Sequence, residues 1–347
     1  MKKLSTFNKI IFLINTLFAI GLILSFFLPN FSPNEYGLIS LASILVPVLI
    51  IGNVLFVLYW VFSGFKKQLL QSFFVLLLSL FFIPKLYKFN SSRDSKSKNS
   101  LSIMSYNVRK FNKYDWIKVD SIEVKISDFI TEEDPDILLL QEYKNLKTFK
   151  LNYPYHSNPL VNLYSDPVEN AKYRTHLSIY SKYPIINEGL IRFTNFLAST
   201  MFVDIVKNND TLRVYNFHLA SLGVIPDKEY FGHKDSEKLV KRLRKSFRTQ
   251  QTQIDTLNAH IKQCNYKTIL AGDLNNTAYS WVYKNVKKDS QDTFSEAGEG
   301  FGTTYKFKGF PLRIDYILVD KNIKINSHKN YKVKYSDHYP IAATIEF

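Results

Sequence analysis

Beyond residue 100, apolar runs repeatedly end on, or enclose, a side chain that can hold a cation or move a proton. The last of these is the most compact. Ser336-Asp337-His338-Tyr339-Pro340 sets an acid beside an imidazole just before the alternating run Ile341 to Ile345. Asp315 lies inside the apolar run from Leu312 to Val319, where an ionised carboxylate is costly unless something partners it. His338 is the candidate partner, because a carboxylate held against an imidazole fixes its tautomer and stabilises its cationic form. Ile137 to Gln141 reads as a strand buried on both faces and delivers Glu142, a carboxylate that must be hydrated, paired or bound to a cation. Lys267 to Asn275 repeats the pattern: Gly272 lets the backbone turn close to whatever is bound, while Asp273 and Asn275, two apart, point the same way from extended chain. Asn107 closes one strand-like run and His218 closes another, Thr211 to Phe217. Singly, each is also what a solvated turn or a core histidine would supply; together they are side chains able to hold a metal or a phosphate.

The elements that must position these groups form a soluble domain behind a membrane anchor. The chain has 347 residues, with 45 Lys and Arg against 30 Asp and Glu, a formal charge of +15. That charge is unevenly spread, since residues 10 to 83 are rich in Leu, Ile, Phe and Val and nearly free of it. Apolar runs at about 10–28, 38–62 and 69–83 give three expected transmembrane helices, because roughly 20 residues cross the hydrocarbon core. Residues 1–88 are therefore read as the anchor, 89–100 as a polar basic linker and 101–347 as the soluble domain. Lys2 and Lys3 would also suit a signal peptide, but no small-residue cleavage site follows and two more apolar runs do. Lys2, Lys3 and Lys9, with Lys66 and Lys67, lie on one side, and the loop 30–37 has only Glu35. The positive-inside rule then puts the amino terminus in the cytoplasm and the domain outside a multi-pass inner membrane. Lys85, Lys88, Arg93, Lys96 and Lys98 in and before the linker argue for the other side. One cysteine, Cys264, allows no intramolecular disulfide.

Within the soluble domain, Ser121 to Thr131 and Ser236 to Gln263 carry apolar residues at helical spacing. The longer helix has a basic face of Lys238, Lys241, Arg242, Arg244, Lys245 and Arg248, either solvated or turned to an anionic partner such as a headgroup or nucleic acid. The other segments read as strands, so the expected fold class is α/β (α+β): two packed sheets with helices outside.

Ser105-Tyr106-Asn107, Leu140-Gln141-Glu142, Asn216-Phe217-His218-Leu219, Gly272-Asp273-Leu274-Asn275, Arg313-Ile314-Asp315-Tyr316 and Ser336-Asp337-His338-Tyr339-Pro340 resemble, in order and spacing, the motif series of the endonuclease/exonuclease/phosphatase superfamily. The resemblance covers residues 101 to 347. It implies a four-layer α/β/β/α sandwich of two mixed sheets whose strand ends converge on one cleft. It also implies that Asn107 and Glu142 hold Mg²⁺, with Mn²⁺ as a substitute and Asp337 as a further ligand or support. His218 would donate to a non-bridging phosphate oxygen, Asp273 and Asn275 would orient or deprotonate the attacking water and bind phosphate, and Asp315 with His338 would act as a coupled pair. The abasic-site repair branch has a Tyr and Asn pair where this chain has His218, so the resemblance is to the deoxyribonuclease and sphingomyelinase side.

The implied activity is metal-assisted hydrolysis of a phosphodiester, in nucleic acid or a phospholipid headgroup. A phosphomonoesterase acting on a small phosphorylated molecule, or an inactive binding module on the same fold, are the alternatives. Membrane lipids are the expected partners of the helices, and no obligate protein partner is implied. The loops 151–174, 221–235 and 277–302 are the candidates for substrate recognition, with Arg174 and Arg313 either meeting phosphate or facing solvent. Tyr153, Tyr155, Tyr164, Tyr279, Trp281 and Tyr283 are either stacking platforms or packing.

Overall fold

The computed structural model describes residues 4–64, 66–89, 100–113, 115–157, 176–191, 193, 200–224, 233–307 and 310–347. Arg174, most of the expected linker and most of the loops 151–174 and 221–235 lie outside the described residues.

The apolar part contains α1 (Thr6–Ser25), a short α2 (Gly37–Leu41) that continues through a tight turn into α3 (Val46–Phe62), and α4 (Leu69–Phe82). Thr6–Asn30 and Gly37–Phe62, of 25 and 26 residues, are long and apolar enough to cross a membrane. The third expected span falls short: α4 has 14 residues, about 21 Å at the α-helical rise, against a hydrocarbon core of about 30 Å. Pro84 is the reason it stops, since the residue before a proline is driven out of the helical region, and Ile83 is extended at φ −131° and ψ 156°. Polar side chains tie the three long helices together. Asn15 Nδ2 donates to Ser72 Oγ (2.6 Å), Ser72 Oγ to Asn53 Oδ1 (2.7 Å) and Trp60 Nε1 to Asn15 Oδ1 (2.8 Å). In an apolar bundle such groups have only one another to satisfy them.

The rest is a sandwich. Its strands are β1 (Ser100–Asn107), β2 (Ile137–Tyr143), β3 (Tyr155–Ser157), β4 (His176–Ser181), β5 (Ile185–Ile191), β6 (Thr200–Lys207), β7 (Asp210–His218), β8 (Lys267–Asp273), β9 (Ser290–Asp292), β10 (Tyr305–Phe307), β11 (Phe310–Leu312), β12 (Asp315–Asp320), β13 (Lys324–Asn330) and β14 (Ile341–Glu346). The helices are α5 (Ile122–Glu133), α6 (His233–Ile261), α7 (Trp281–Lys287) and α8 (Thr293–Ala297). One six-stranded sheet runs β13-β14-β1-β2-β4-β3, the other β5-β6-β7-β8-β12-β9. Each is mixed: β1 with β2, and β7 with β8, are parallel pairs among antiparallel ones.

Burial explains the layering. Ile103, Ile137 and Leu139 of the first sheet meet Val203, Val214, Ile269 and Ile317 of the second in a fully buried central core. Alternate residues face outward under helices. Met104, Leu138 and Leu140 pack on Ile126 and Phe129 of α5, while Tyr215, Phe217 and Leu270 pack on Ile254 and Leu257 of α6. This is the expected four-layer sandwich, with its central strands apolar on both faces.

Asp315 and its expected partner His338 come from different sheets. Asp315 opens β12 of the second sheet and His338 lies just ahead of β14 of the first. The 277–302 segment is not an open loop either, since it forms α7, β9 and α8, and Tyr279 and Tyr283 are buried.

The sandwich sits against the apolar helices. Tyr279 is buried with Ala19, Leu22 and Val46, Thr277 Oγ1 donates to Ser43 O (3.4 Å), and Asn34 N donates to Gln251 Oε1 of α6 (2.9 Å). Lys284 Nζ also bonds Asn30 Oδ1.

Candidate active site

Strand register assembles half of the site. His218 pairs across the ladder with Asp273, and Asp273 with Asp315, so the ends of β7, β8 and β12 bring these side chains into one row. Residues directly opposite in a ladder share a face. The close approach of β7 and β8 depends on Gly272, at φ +143°, where an added Cβ would lie 2.0 Å from Phe217 O. The facing sheet contributes Asn107 at the end of β1, paired with Gln141, and Glu142 immediately after. The β2–β4 register shifts between Leu140 and Tyr143, and Glu142 has φ +47°; the irregularity turns its carboxylate out of the ladder.

Across the cleft, Asn107 Nδ2 donates to Asp273 Oδ2 (3.1 Å) and the Asn275 backbone N–H to Asp273 Oδ1 (2.7 Å). Two imidazoles flank the same carboxylate, with His338 Nε2 at 3.8 Å and His218 Nε2 at 3.7 Å from Asp273 Oδ2. His338 Nδ1 contacts both Asp315 oxygens, at 3.2 and 3.0 Å, which fixes the ring so that Nε2 faces Asp273. Glu142 Oε1 lies 4.0 Å from His218 Nε2. Asp273, Asp315 and His338 are all at most 5% exposed.

The charges follow from this crowding. Burial pushes the Asp273 carboxyl up to about 8, with Asp315 adding to the rise and His338 opposing it. Burial opposes charge on His338, but Asp315 and Asp273 outweigh it and raise the ring to about 10. Burial lowers His218, and Glu142 only partly offsets this. Two buried acids thus share one cationic ring, and the proton kept on Asp273 relieves their repulsion.

Asp273, Asp315 and His338 each offer a ligand atom within 4.8 Å of the others, so together they could hold a metal ion. With Asn107 and Glu142 opposite, the surroundings are rich in oxygen donors, which suits a hard divalent cation. Of the sequence-derived ligands, Asn107 joins this cluster directly and Glu142 through His218, whereas Asp337 is held apart. Arg109 Nη1 lies 2.7 Å from Asp337 Oδ2, and burial raises the Asp337 carboxyl against the pull of His338 and Arg109. Asn275 uses its side-chain amide to donate to Leu219 O (3.0 Å). Arg313 neither meets the cleft nor faces solvent. It is buried 2.7 Å from Asp292 Oδ2, stacked over Phe294 and Tyr316.

Several contributors were not identified from the sequence. Arg109 lies in a turn whose residues Arg109 to Asn112 all have positive φ, between 42° and 56°, a conformation nothing in Arg-Lys-Phe-Asn announces. Thr304 Oγ1 accepts from the Ile314 and Asp315 backbone N–H groups, and the Tyr305 ring lies 4.8 Å from that of His338. Gln141 is fully buried and donates to Ser105 Oγ (3.1 Å) and Asn216 Oδ1 (2.8 Å), joining the sheets beneath the cleft.

A sandwich with this cleft defines a class of phosphoester hydrolases. The chain belongs to the endonuclease/exonuclease/phosphatase family, whose model matches residues 104–338. Residues 8–86 match a domain of unknown function, DUF8431. Among solved structures, the chain is similar to a humanized D. rerio TDP2, with 17% identity, a TM-score of 0.53, and 72% of this chain and 100% of that one covered. The human Nocturnin catalytic domain with bound sulfate is similar at 16% identity and a TM-score of 0.52, covering 72% and 94%. A mannosyl-6-phosphatase from Bacteroides thetaiotaomicron follows at 17% and 0.50, covering 71% and 100%. At these identities the likeness is one of fold. No curated protein sequence matches the chain.

Proposed function

We propose that the chain is a membrane-anchored, metal-dependent phosphoesterase that splits a P–O bond by attack of water. The observation that carries this reading is the convergence of His218 and His338 Nε2 on the Asp273 carboxylate, with Asp315 behind His338. Asn107 and Glu142 would hold a divalent cation, Mg²⁺ or Mn²⁺, with Asp337 supporting the site through Arg109. That cation supplies Lewis-acid stabilisation of charge on the phosphoryl oxygens. Asp273, oriented by Asn107 and the Asn275 N–H, takes the proton of the attacking water. His218 and His338 donate to the non-bridging oxygens where charge builds up, and Asp315 keeps the His338 ring cationic.

The substrate favoured is a phosphodiester carried at the bilayer surface. Four residues beyond Asp273, Thr277 bonds Ser43, and Tyr279 is buried among the apolar helices, so the strand that bears the base runs straight into the membrane junction. In this reading residues 1–88 are the anchor, with α4, too short to cross by itself, packed against α1 and α3. The loop before α2 is in contact with the sandwich, which favours placing both on one side of the membrane. A small phosphomonoester is the second reading, motivated by the mannosyl-6-phosphatase of the same fold.

A panel of phospholipids, DNA, sugar phosphates and bis-p-nitrophenyl phosphate, offered to the purified full chain with Mg²⁺ or Mn²⁺, tests this. Hydrolysis of lipid diesters that stops with EDTA is expected. Cleavage of DNA or sugar phosphates alone moves the substrate assignment, and silence on every ester under every divalent ion overturns the enzyme reading.

A further inference from the structure

A second polar feature lies away from the cleft, where α6 passes the mouth of the second apolar helix. A cavity of about 430 Å³ is lined by Lys241, Arg244, Lys245 and Arg248 of α6 together with Thr249 and with Asn34 from the loop before α2. The spacing of three, four and seven residues puts the four cations on one helix face, where like charges repel. Among the described residues no ion pair joins any of them to a carboxylate. Arg248 Nε reaches only Pro33 O, at 3.5 Å, and Arg244 Nε is buried with no hydrogen-bond partner. A buried guanidinium nitrogen left without an acceptor implies that something else supplies one.

Position says what. Gly37 opens α2, and a Cβ added there would lie 3.3 Å from Arg244 Nε and 3.7 Å from Arg248 Nε. The cavity therefore stands at the level where an apolar helix, Gly37–Phe62, begins its run. Beside it Tyr36, Leu38 and Ile39 are 46%, 60% and 43% exposed. Cations lining this space, next to an uncovered apolar surface, match a phosphate that carries acyl chains. A nucleic acid or a free phosphate would leave the apolar half unused. We infer that this cavity binds the headgroup of an anionic phospholipid, the phosphate between Arg244 and Arg248 and an acyl chain along Leu38 and Ile39. The inference stands apart from the catalytic reading, because none of these residues lies in the cleft.

The test uses the full chain reconstituted in nanodiscs of phosphatidylcholine with a minor share of phosphatidylglycerol, released for native mass spectrometry. Wild type should retain phosphatidylglycerol over phosphatidylcholine more than ten-fold. Arg244→Gln and Arg248→Gln should each lower that preference about five-fold, the effect of one basic residue at an anionic surface. Lys241→Gln and Lys245→Gln, at exposed positions, should lower it without touching the fold, which decides the matter if the arginine variants do not fold. Equal retention of the two lipids, or an unchanged preference in folded variants, overturns the inference. So does displacement of the lipid by millimolar inorganic phosphate or by an oligonucleotide, since the site would then serve a soluble anion.

Discussion

Asp273 shows how much of the chemistry is a matter of one residue's surroundings. Out of water and beside Asp315, its carboxyl holds a proton up to about 8 against the opposing pull of His338. A divalent cation held beside it by Asn107 and Glu142 would favour the deprotonated form, so at pH 7 metal uptake should release a proton, and that release should fade as the pH passes about 8. Titration calorimetry in buffers of different ionisation enthalpy reads the proton directly; a metal affinity flat from pH 6 to 9 would contradict the assignment. Asp273→Asn keeps the shape and removes the base, so turnover should drop by about 10²-fold or more. Its unfolding midpoint should stay at or above the wild-type value, because the fold no longer has to keep a buried carboxyl protonated far above its ordinary range. His338→Ala should likewise remove turnover while leaving the fold.

Elements carry the next constraints. β7 and β8 can lie side by side only because Gly272 has no Cβ, and Gly272→Ala should cost at least about 3 kcal/mol through overlap with Phe217 O and a strained φ. Denaturant unfolding with loss of the His218–Asp273 pairing would register it. On β13, burial holds the His328 ring down to about 4, with Asp292 partly offsetting and Arg313 adding to the drop, and its Nδ1 lies 2.8 Å from Thr293 Oγ1. A ring that stays neutral in the fold but titrates near 6.5 when unfolded stabilises fully above pH 6.5. That contribution, about 3 kcal/mol, is lost as the pH falls through 4. Unfolding midpoints measured from pH 7 down to 4 should fall steeply for wild type and far less for His328→Gln.

For the whole molecule, the junction between sandwich and apolar helices matters most. Tyr279 is 5% exposed and fills a space lined by Ala19, Leu22 and Val46. Tyr279→Ala should cost about 3 kcal/mol in the detergent-solubilised chain, as removal of a buried aromatic does, and should speed limited proteolysis between the two parts. Unchanged proteolysis would mean that the contact does not hold them together.

The sequence by itself determined the central strands, because runs such as Ile137 to Leu140 and Ile269 to Ala271 are apolar on both faces and so must lie between layers. It also marked Asn107, Glu142, His218, Asp273, Asp315 and His338, since polar groups at the ends of buried strands need a purpose, and the α5 and α6 positions followed from helical spacing. Only the tertiary structure decided how those groups meet. Asp315 and His338 stand on different sheets, Glu142 is aimed by a bulge, Arg109 takes up Asp337 from a turn of positive φ, and Arg313 is spent on Asp292. Periodicity records which face a residue occupies along its own strand, but the distance between two strands is set by packing across a gap that no local pattern encodes. The same limit explains α4: hydropathy counted its apolar residues, and the backbone constraint imposed by Pro84 set its length.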